Sequence, residues 1–163
     1  LDPSLPEFLQ QQIIKNDIAP DQVCLELTET VLVSDIKRAT TIMQNIRDMG
    51  CMLAIDDFGT GYSSLSYLKS LPADYIKIDR SFVANIASSA DDRNIVHSTI
   101  SMVRNMGMQV VAEGIETSEQ YELLCHFDCN LGQGYLISKP IPEVNIWDVL
   151  SDKVEFGFWK ESA

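Results

Sequence analysis

Five polar side chains interrupt apolar, strand-like runs of the sequence at intervals of 20 to 36 residues: Glu26, Asp56, Lys77, Glu113 and Gln133. Three carboxylates at one point would favour a hard divalent cation such as Mg²⁺ or Mn²⁺, because such ions prefer oxygen ligands. Two such ions clamp a phosphodiester and activate a water molecule. The residue types therefore predict metal-assisted hydrolysis of a phosphate ester.

Asp56 and Asp57 close a short apolar run, and a segment rich in glycine and hydroxyl groups follows them. The run is too short for a helix, so both acids are expected at the carboxyl end of a buried strand. Two adjacent carboxylates raise each other's pKa and resist burial unless a cation neutralises them. A metal ion is one such partner; alternatively, Asp57 only caps the turn that follows.

The rest of the chain alternates between the two periodicities of helices and strands. Strands are predicted over residues 23–29, 52–57, 74–79, 109–114 and 132–138. Helices are predicted over residues 2–16, from Ser34 or Asp35 to Gly50, and over 65–71, 91–106, 119–127 and 144–150, with Thr117 or Ser118 as the cap of the fifth. Such alternation implies parallel strands joined by right-handed crossovers.

The spacing of the polar residues also favours one α/β architecture over another. It is close to the roughly 30 residues per strand-helix unit of a TIM-like (β/α)8 barrel, whose strands present their carboxyl ends at one mouth. A doubly wound open sheet is the alternative, but such a sheet places its site at one crevice and does not need a charge on every strand. The sequence therefore predicts a barrel with a ring of polar groups at its mouth.

Composition excludes several classes of function. The 163 residues are enough for about one domain, and the formal net charge of −12 argues against binding of polymeric nucleic acid. The four cysteines lack a C-x-x-C pair, which predicts free thiols in a reducing cytoplasm, and two histidines are too few for a histidine-based zinc site. No run of eighteen apolar residues is present.

Several candidate residues keep a structural alternative. Lys77 could orient a water molecule or offset charge on a phosphate, or it could be a buried counter-ion. Gln133 could be purely structural, because a buried polar group needs a partner whatever its role. Glu29 lies just beyond the first predicted strand and is expected to hold the loop 59–61 rather than bind a metal.

Five segments match one family in order and spacing. They are Glu26-Leu27-Thr28-Glu29, the run from Asp56 to Leu65, Ile76-Lys77-Ile78-Asp79, Ala112-Glu113-Gly114-Ile115-Glu116 and Gln133-Gly134-Tyr135. In these segments the chain resembles the EAL family of bacterial cyclic di-GMP phosphodiesterases. The resemblance implies a hydrolase that converts cyclic di-GMP to linear pGpG with two Mg²⁺ or Mn²⁺ ions.

The resemblance also implies a role for each matching residue. Glu26 and Asp56 would bind the first metal, and Asp56, Asp57 and Glu113 the second, with Lys77 positioning the water between them. Glu29 would brace the loop after Asp57, which contains Gly59, Thr60 and Gly61. Glu116 and Gln133 would support the site.

By the same resemblance, residues 1–163 are a partial EAL domain with about five of eight strands. The chain would begin in the helix after the third strand, so the signature Glu-Ala-Leu strand and a ligand Asn of the next strand would not be among these residues. This fragment alone is therefore expected to be inactive. The family implies a cytoplasmic homodimer formed through the loop after Asp57 and neighbouring helices, with any membrane contact made by other domains.

Two alternatives stay open at this point. One is a non-catalytic cyclic di-GMP receptor or dimerisation module, which the full set of acids and Lys77 argues against and the missing strands favour. The other is a metabolic barrel enzyme that uses Lys77 as a base beside Mg²⁺. The run from Thr60 to Ser64 favours the family loop over this second alternative.

Overall fold

A computed structural model describes residues 2–59 and 68–147, apart from the side chains of Val33 and Ser34. Within these residues one sheet contains the strands β1 (Cys24–Thr28), β2 (Met52–Phe58), β3 (Tyr75–Ile78), β4 (Gln109–Glu113) and β5 (Leu131–Gln133). All neighbouring strands are parallel, and their spatial order follows the chain order. A doubly wound sheet would reverse its order at a switch point, so the topology is that of a barrel segment.

Helices precede or connect most of these strands. They are α1 (Leu5–Lys15), α2 (Glu29–Ser34), α3 (Ile36–Asp48), α4 (Arg80–Val83), α5 (Ala90–Asn105) and α6 (Ser118–His126), with 3-10 turns at Pro20–Gln22 and Glu143–Asn145. Asp35 caps α3 by accepting a hydrogen bond from the Arg38 N–H at 3.1 Å. Thr117 caps α6. The structure thus selects one of the two predicted caps at each of these helices.

The core lies between the sheet and the helices. Helix α3 contributes Ala39, Ile42, Met43 and Ile46, which recur at helical spacing and are buried. Strands β2, β3 and β4 contribute nearly continuous apolar runs, as expected for parallel strands covered by helices. The described residues contain no helix with the length and apolar character needed to cross a membrane.

Polar side chains form hydrogen bonds with the backbone at the amino ends of the strands. Asp74 precedes β3 and accepts a hydrogen bond from the Leu53 N–H at 3.0 Å, while its other carboxylate oxygen lies 3.0 Å from the Arg47 guanidinium. Asn130 precedes β5 and accepts from the Val110 N–H at 2.9 Å. Each side chain thus accepts a hydrogen bond from a backbone N–H near the amino end of the neighbouring strand.

Four features differ from the sequence prediction. Helix α2 and helix α4 were not predicted, and β5 ends at Gln133 rather than at residue 138. After Gln133 the chain turns, because the Ile137 and Ser138 N–H groups bond back to the Gly134 carbonyl at 3.0 and 3.2 Å. The predicted helix 65–71 falls mostly outside the described residues, and the terminal helix begins as a 3-10 turn, with 148–150 also outside.

Candidate active site

Lys77 lies at the centre of three carboxylates. Its Nζ is 2.7 Å from Glu26 Oε2, 2.7 Å from Glu113 Oε1 and 3.1 Å from Asp56 Oδ1. The Lys77 side chain is 8% exposed, against 50% for Glu26, 22% for Asp56 and 18% for Glu113. The cluster is therefore closed around the ammonium and open to solvent on the side of Glu26.

Burial and hydrogen bonding oppose each other at Lys77. Burial lowers the pKa of its ammonium, but hydrogen bonds to Glu113, Glu26 and Asp56 raise that pKa further, and the net shift is upward from the usual lysine value. Lys77 is therefore held as a cation. Three carboxylates around one ammonium leave two net negative charges in the cluster, which electrostatically favours a further cation.

Four successive strands deliver these groups. Glu26 lies on β1, Lys77 on β3 and Glu113 at the end of β4. Asp56 on β2 is paired in register with Thr28 of β1. Because the strands are parallel, their carboxyl ends meet at one edge of the sheet.

Asp57 follows Asp56 in an unusual backbone conformation. Its φ is +56°, in the left-handed region that Asp tolerates better than most residues. The Asp57 N–H donates to Asp56 Oδ1 at 3.0 Å. The register of β2 with β3 also shifts between Ile55 and Phe58, so the strand is irregular at the two acids.

Glu29 contacts the backbone just beyond Asp57. It is the first residue of α2, is only 3% exposed, and its Oε2 accepts from the Gly59 N–H at 3.3 Å. Gly59 has a φ of +97°, and a Cβ there would lie 3.0 Å from the Phe82 ring. The contact thus ties the start of α2 to the start of the predicted loop, whose other members Thr60 and Gly61 lie outside the described residues.

Close packing fixes the segment after Glu113. Gly114 has a φ of +71°, and a Cβ there would lie 2.4 Å from the Arg80 Cβ. The Ile115 N–H donates to the Gln133 carbonyl at 3.1 Å, and its carbonyl accepts from the Leu136 N–H at 2.9 Å. A Cβ on Gly134 would lie 2.1 Å from that Ile115 carbonyl oxygen, so only glycine fits.

Gln133 and Glu116 lie beside the strand end that carries Glu113. Gln133 pairs in register with Glu113, and its side chain is exposed. Glu116 is also exposed, and its N–H donates to Gln120 Oε1 at 2.8 Å. Sequence reasoning missed Gln120, although a glutamine three residues after Thr117 is the pattern of a capping box, which this helix has.

The donor set suits a hard divalent ion. Glu26, Asp56 and Glu113 offer carboxylate oxygens, the ligands that Mg²⁺ and Mn²⁺ prefer. In the part of the chain that the structure describes, no three His, Cys, Asp or Glu side chains are arranged to hold a metal ion. The carboxylates fit such an ion by their chemistry, and in this arrangement they contact the Lys77 ammonium, which offsets only part of their charge.

Comparison with known proteins identifies the family. The EAL domain family matches residues 1–140. This chain belongs to the EAL domain family. The cyclic di-GMP phosphodiesterase NbdA of Pseudomonas aeruginosa is 46% identical over 118 residues, which are 72% of this chain and 15% of NbdA. The bifunctional diguanylate cyclase/cyclic di-GMP phosphodiesterase MucR of the same organism is 39% identical over 138 residues, which are 85% of this chain and 20% of MucR.

Solved EAL structures share the fold. The MucR phosphodiesterase in complex with cyclic di-GMP superposes with a TM-score of 0.84 at 38% identity, covering 88% of this chain and 58% of that chain. BlrP1 of Klebsiella pneumoniae, in complex with manganese and cyclic di-GMP, gives a TM-score of 0.79 at 37% identity, covering 85% of this chain and 35% of that chain. The predicted barrel fold of the EAL type is therefore confirmed, and the chain spans one fifth or less of the length of NbdA and MucR.

Proposed function

We propose that the domain to which this chain belongs hydrolyses cyclic di-GMP to linear pGpG. The observation that carries this proposal is the convergence of Glu26, Asp56 and Glu113 on the Lys77 ammonium at 2.7 to 3.1 Å. The similarity to NbdA and MucR supports the choice of substrate. In this reaction water adds to one phosphodiester, the P–O3′ bond breaks, and the 3′ oxygen takes a proton.

In this proposal the acids bind two divalent ions. As the family resemblance implies, Glu26 and Asp56 would hold the first, and Asp56, Asp57 and Glu113 would hold the second. When bound, Mg²⁺ or Mn²⁺ supplies neutralisation of the phosphate charge and a water molecule of lowered pKa. Glu29 keeps the loop after Asp57 in place through Gly59.

Lys77 acts as a cation throughout. Its raised pKa and its three carboxylate partners keep the ammonium protonated, so it donates hydrogen bonds and orients the attacking water rather than accepting its proton. The same observation argues against the metabolic barrel enzyme, in which Lys77 would have to be a neutral base.

Glu116 and Gln133 support the site from positions next to Glu113. Glu116 lies in the segment after β4, and Gln133 pairs in register with Glu113 at the end of β5. Glu29 holds Gly59, the first residue of the predicted loop 59–61, through the Gly59 N–H. A homodimer through that loop and neighbouring helices, and a cytoplasmic location, remain predictions from the family resemblance; sedimentation of the native polypeptide with and without cyclic di-GMP tests the dimer.

A second candidate is a cyclic di-GMP receptor that does not cleave its ligand. One observation favours it: the described acids are not arranged to hold a metal ion, because Lys77 occupies their centre. A receptor of this kind would bind cyclic di-GMP in EDTA as tightly as in Mn²⁺. A phosphodiesterase would need the ion for turnover.

The test is to incubate the native full-length polypeptide with cyclic di-GMP in Mg²⁺, in Mn²⁺ or in EDTA. The pGpG formed in each reaction is measured by chromatography. We expect turnover only with a divalent ion, and a loss of at least about 100-fold in Asp56→Asn. Asp91→Asn is the matched control, because Asp91 is an exposed acid in the first turn of α5. Binding without cleavage in all conditions would contradict the phosphodiesterase and favour the receptor.

A further inference from the structure

Gln120 is a buried polar residue that the proposed chemistry does not use. It is 6% exposed, and its side-chain amide makes three hydrogen bonds to backbone groups. The Oε1 atom accepts from the Glu116 N–H at 2.8 Å and from the Thr117 N–H at 3.0 Å. The Nε2 atom donates to the Ala84 carbonyl at 3.0 Å.

These bonds join two segments that come from different strands. Glu116 and Thr117 end the turn that begins at Glu113, the carboxylate of β4 that contacts Lys77. Ala84 follows helix α4, which begins just after β3, the strand of Lys77. Gln120 therefore connects the backbone after Glu113 with the backbone after Lys77.

Helix α4 meets the same turn at its other end. Arg80, its first residue, packs so closely on Gly114 that a Cβ there would lie 2.4 Å from the Arg80 Cβ. The turn is thus held against α4 at two points, by Arg80 at Gly114 and by Gln120 through Ala84 at Glu116 and Thr117. Two fixed points restrict sliding of the Glu113 backbone relative to Lys77.

The side-chain amide of Gln120 supplies this whole set of bonds. One oxygen accepts two N–H groups while the attached nitrogen donates, which the amide allows and a carboxylate or thioether does not. We infer that Gln120 is a positioning residue, which fixes the turn after Glu113 against α4 and thereby sets the distance between Glu113 and Lys77. The inference rests on the proposed function for its consequence in catalysis.

Gln120 also helps to cap α6, so the test must separate the cap from the link to α4. Gln120→Glu keeps the cap, because glutamate is a normal third residue of a capping box, and replaces the donor to Ala84 with an acceptor. Thr117→Ala is the matched control: it removes the Thr117 Oγ1 acceptor of the Gln120 N–H, 3.2 Å away, and keeps the link to Ala84.

Mn²⁺ binding by calorimetry, the unfolding midpoint, kcat and KM for cyclic di-GMP are measured for the native full-length polypeptide and both variants. We expect Gln120→Glu to bind Mn²⁺ about 10-fold more weakly and to lose about 10-fold in kcat, as supporting residues of metal ligands do, with KM changed less than about twofold. Thr117→Ala is expected to lower the midpoint and to leave Mn²⁺ affinity and kcat unchanged.

Equal effects of the two variants on Mn²⁺ affinity and kcat would overturn the positioning role, because the cap alone would then account for Gln120. An unchanged Mn²⁺ affinity in Gln120→Glu would overturn it as well. A wild-type polypeptide that neither binds Mn²⁺ nor forms pGpG would instead contradict the proposed function and the inference with it. The wild type therefore shows which of the two has failed.

Discussion

The two ends of the sheet handle charge in opposite ways. At the amino end, Asp74 is balanced, because its two carboxylate oxygens meet the Leu53 N–H and the Arg47 guanidinium at 3.0 Å each. At the carboxyl end, one ammonium faces three carboxylates. A balanced polar group stabilises the fold, whereas an excess of clustered negative charge costs stability and is typical of sites that bind a cation or do chemistry.

The difference separates residues that hold the sheet from residues that act on a ligand. Asp74 and Asn130 each accept from the backbone of the strand beside them and satisfy a buried donor. Glu26, Asp56 and Glu113 direct carboxylate oxygens at Lys77. Substitutions at the amino end should therefore change stability alone, and substitutions at the carboxyl end should change turnover first.

Lys77→Met is expected to have the largest effect. Turnover should fall by about 100- to 1,000-fold, because the donor that orients the attacking water is lost. In EDTA the free energy of unfolding should also fall, by about 2 kcal/mol, less than for a fully buried pair because Glu26 is half exposed. Turnover is measured as pGpG formation, and the free energy of unfolding by urea denaturation. Lys15→Met is the control, because Lys15 is an exposed lysine of α1. Unchanged turnover would remove Lys77 from the mechanism.

Gly134→Ala sharpens the comparison, because it tests packing rather than charge at the carboxyl end. Its Cβ would lie 2.1 Å from the Ile115 carbonyl oxygen, which should cost about 3 kcal/mol of unfolding free energy. Gly107→Ala is the matched control, with a φ of +83° and no atom within 4 Å of the new Cβ, and should cost about 1 kcal/mol. If thermal unfolding showed equal losses of stability in Gly134→Ala and Gly107→Ala, the backbone at Ile115 would have to shift easily to make room for the new Cβ.

Asp74→Ala tests the amino end. It leaves the Leu53 N–H without its acceptor, so the free energy of unfolding should fall by about 2 kcal/mol. Turnover per folded molecule should not change. Asp128→Asn removes the charge of an acid that is 75% exposed and paired with Arg104. It keeps a residue that tolerates the φ of +57° at this position, and should change stability by less than about 0.5 kcal/mol. A lower kcat in Asp74→Ala, with the protein fully folded, would break the separation between the two ends.

The smallest expected effect concerns pH. The folded-state pKa of Lys77 is raised above the ordinary 10.5, so its contribution to stability is complete below that value and is lost as the pH rises through the higher folded-state pKa. The difference in unfolding free energy between wild type and Lys77→Met should therefore stay constant from about pH 7 to about pH 10. A difference that disappears within this range would show that Lys77 loses its proton there.

Much of the fold followed from periodicity, and the exceptions have local causes. Helix α2 was missed because the run from Thr28 to Val33 is rich in β-branched residues, which favour strands by propensity. Strand β5 was predicted too long because Tyr135, Leu136 and Ile137 are typical of a strand. Gly134 instead packs on Ile115, and the following N–H groups bond back to Gly134.

The candidate site was predictable where a charged side chain interrupts an apolar run. Glu26, Asp56, Lys77 and Glu113 share that signal, and parallel strands bring them to one edge. Gln120 lacks it, because a polar residue at the start of a helix is ordinary in sequence and only its burial shows that it links two turns. The sequence also predicted that Lys77 lies close to these carboxylates, and the structure adds the distances of 2.7 to 3.1 Å.

Mn²⁺ titration of the native full-length polypeptide, followed by the electron paramagnetic resonance signal of the free ion, tests the central claim most directly. If Glu26, Asp56 and Glu113 form a metal centre beside Lys77, the wild type and Asp91→Asn should bind Mn²⁺ alike, and Asp56→Asn should bind it at least about 10-fold more weakly. Equal binding by Asp56→Asn and the wild type would contradict the claim, since Asp56 would then not be a ligand.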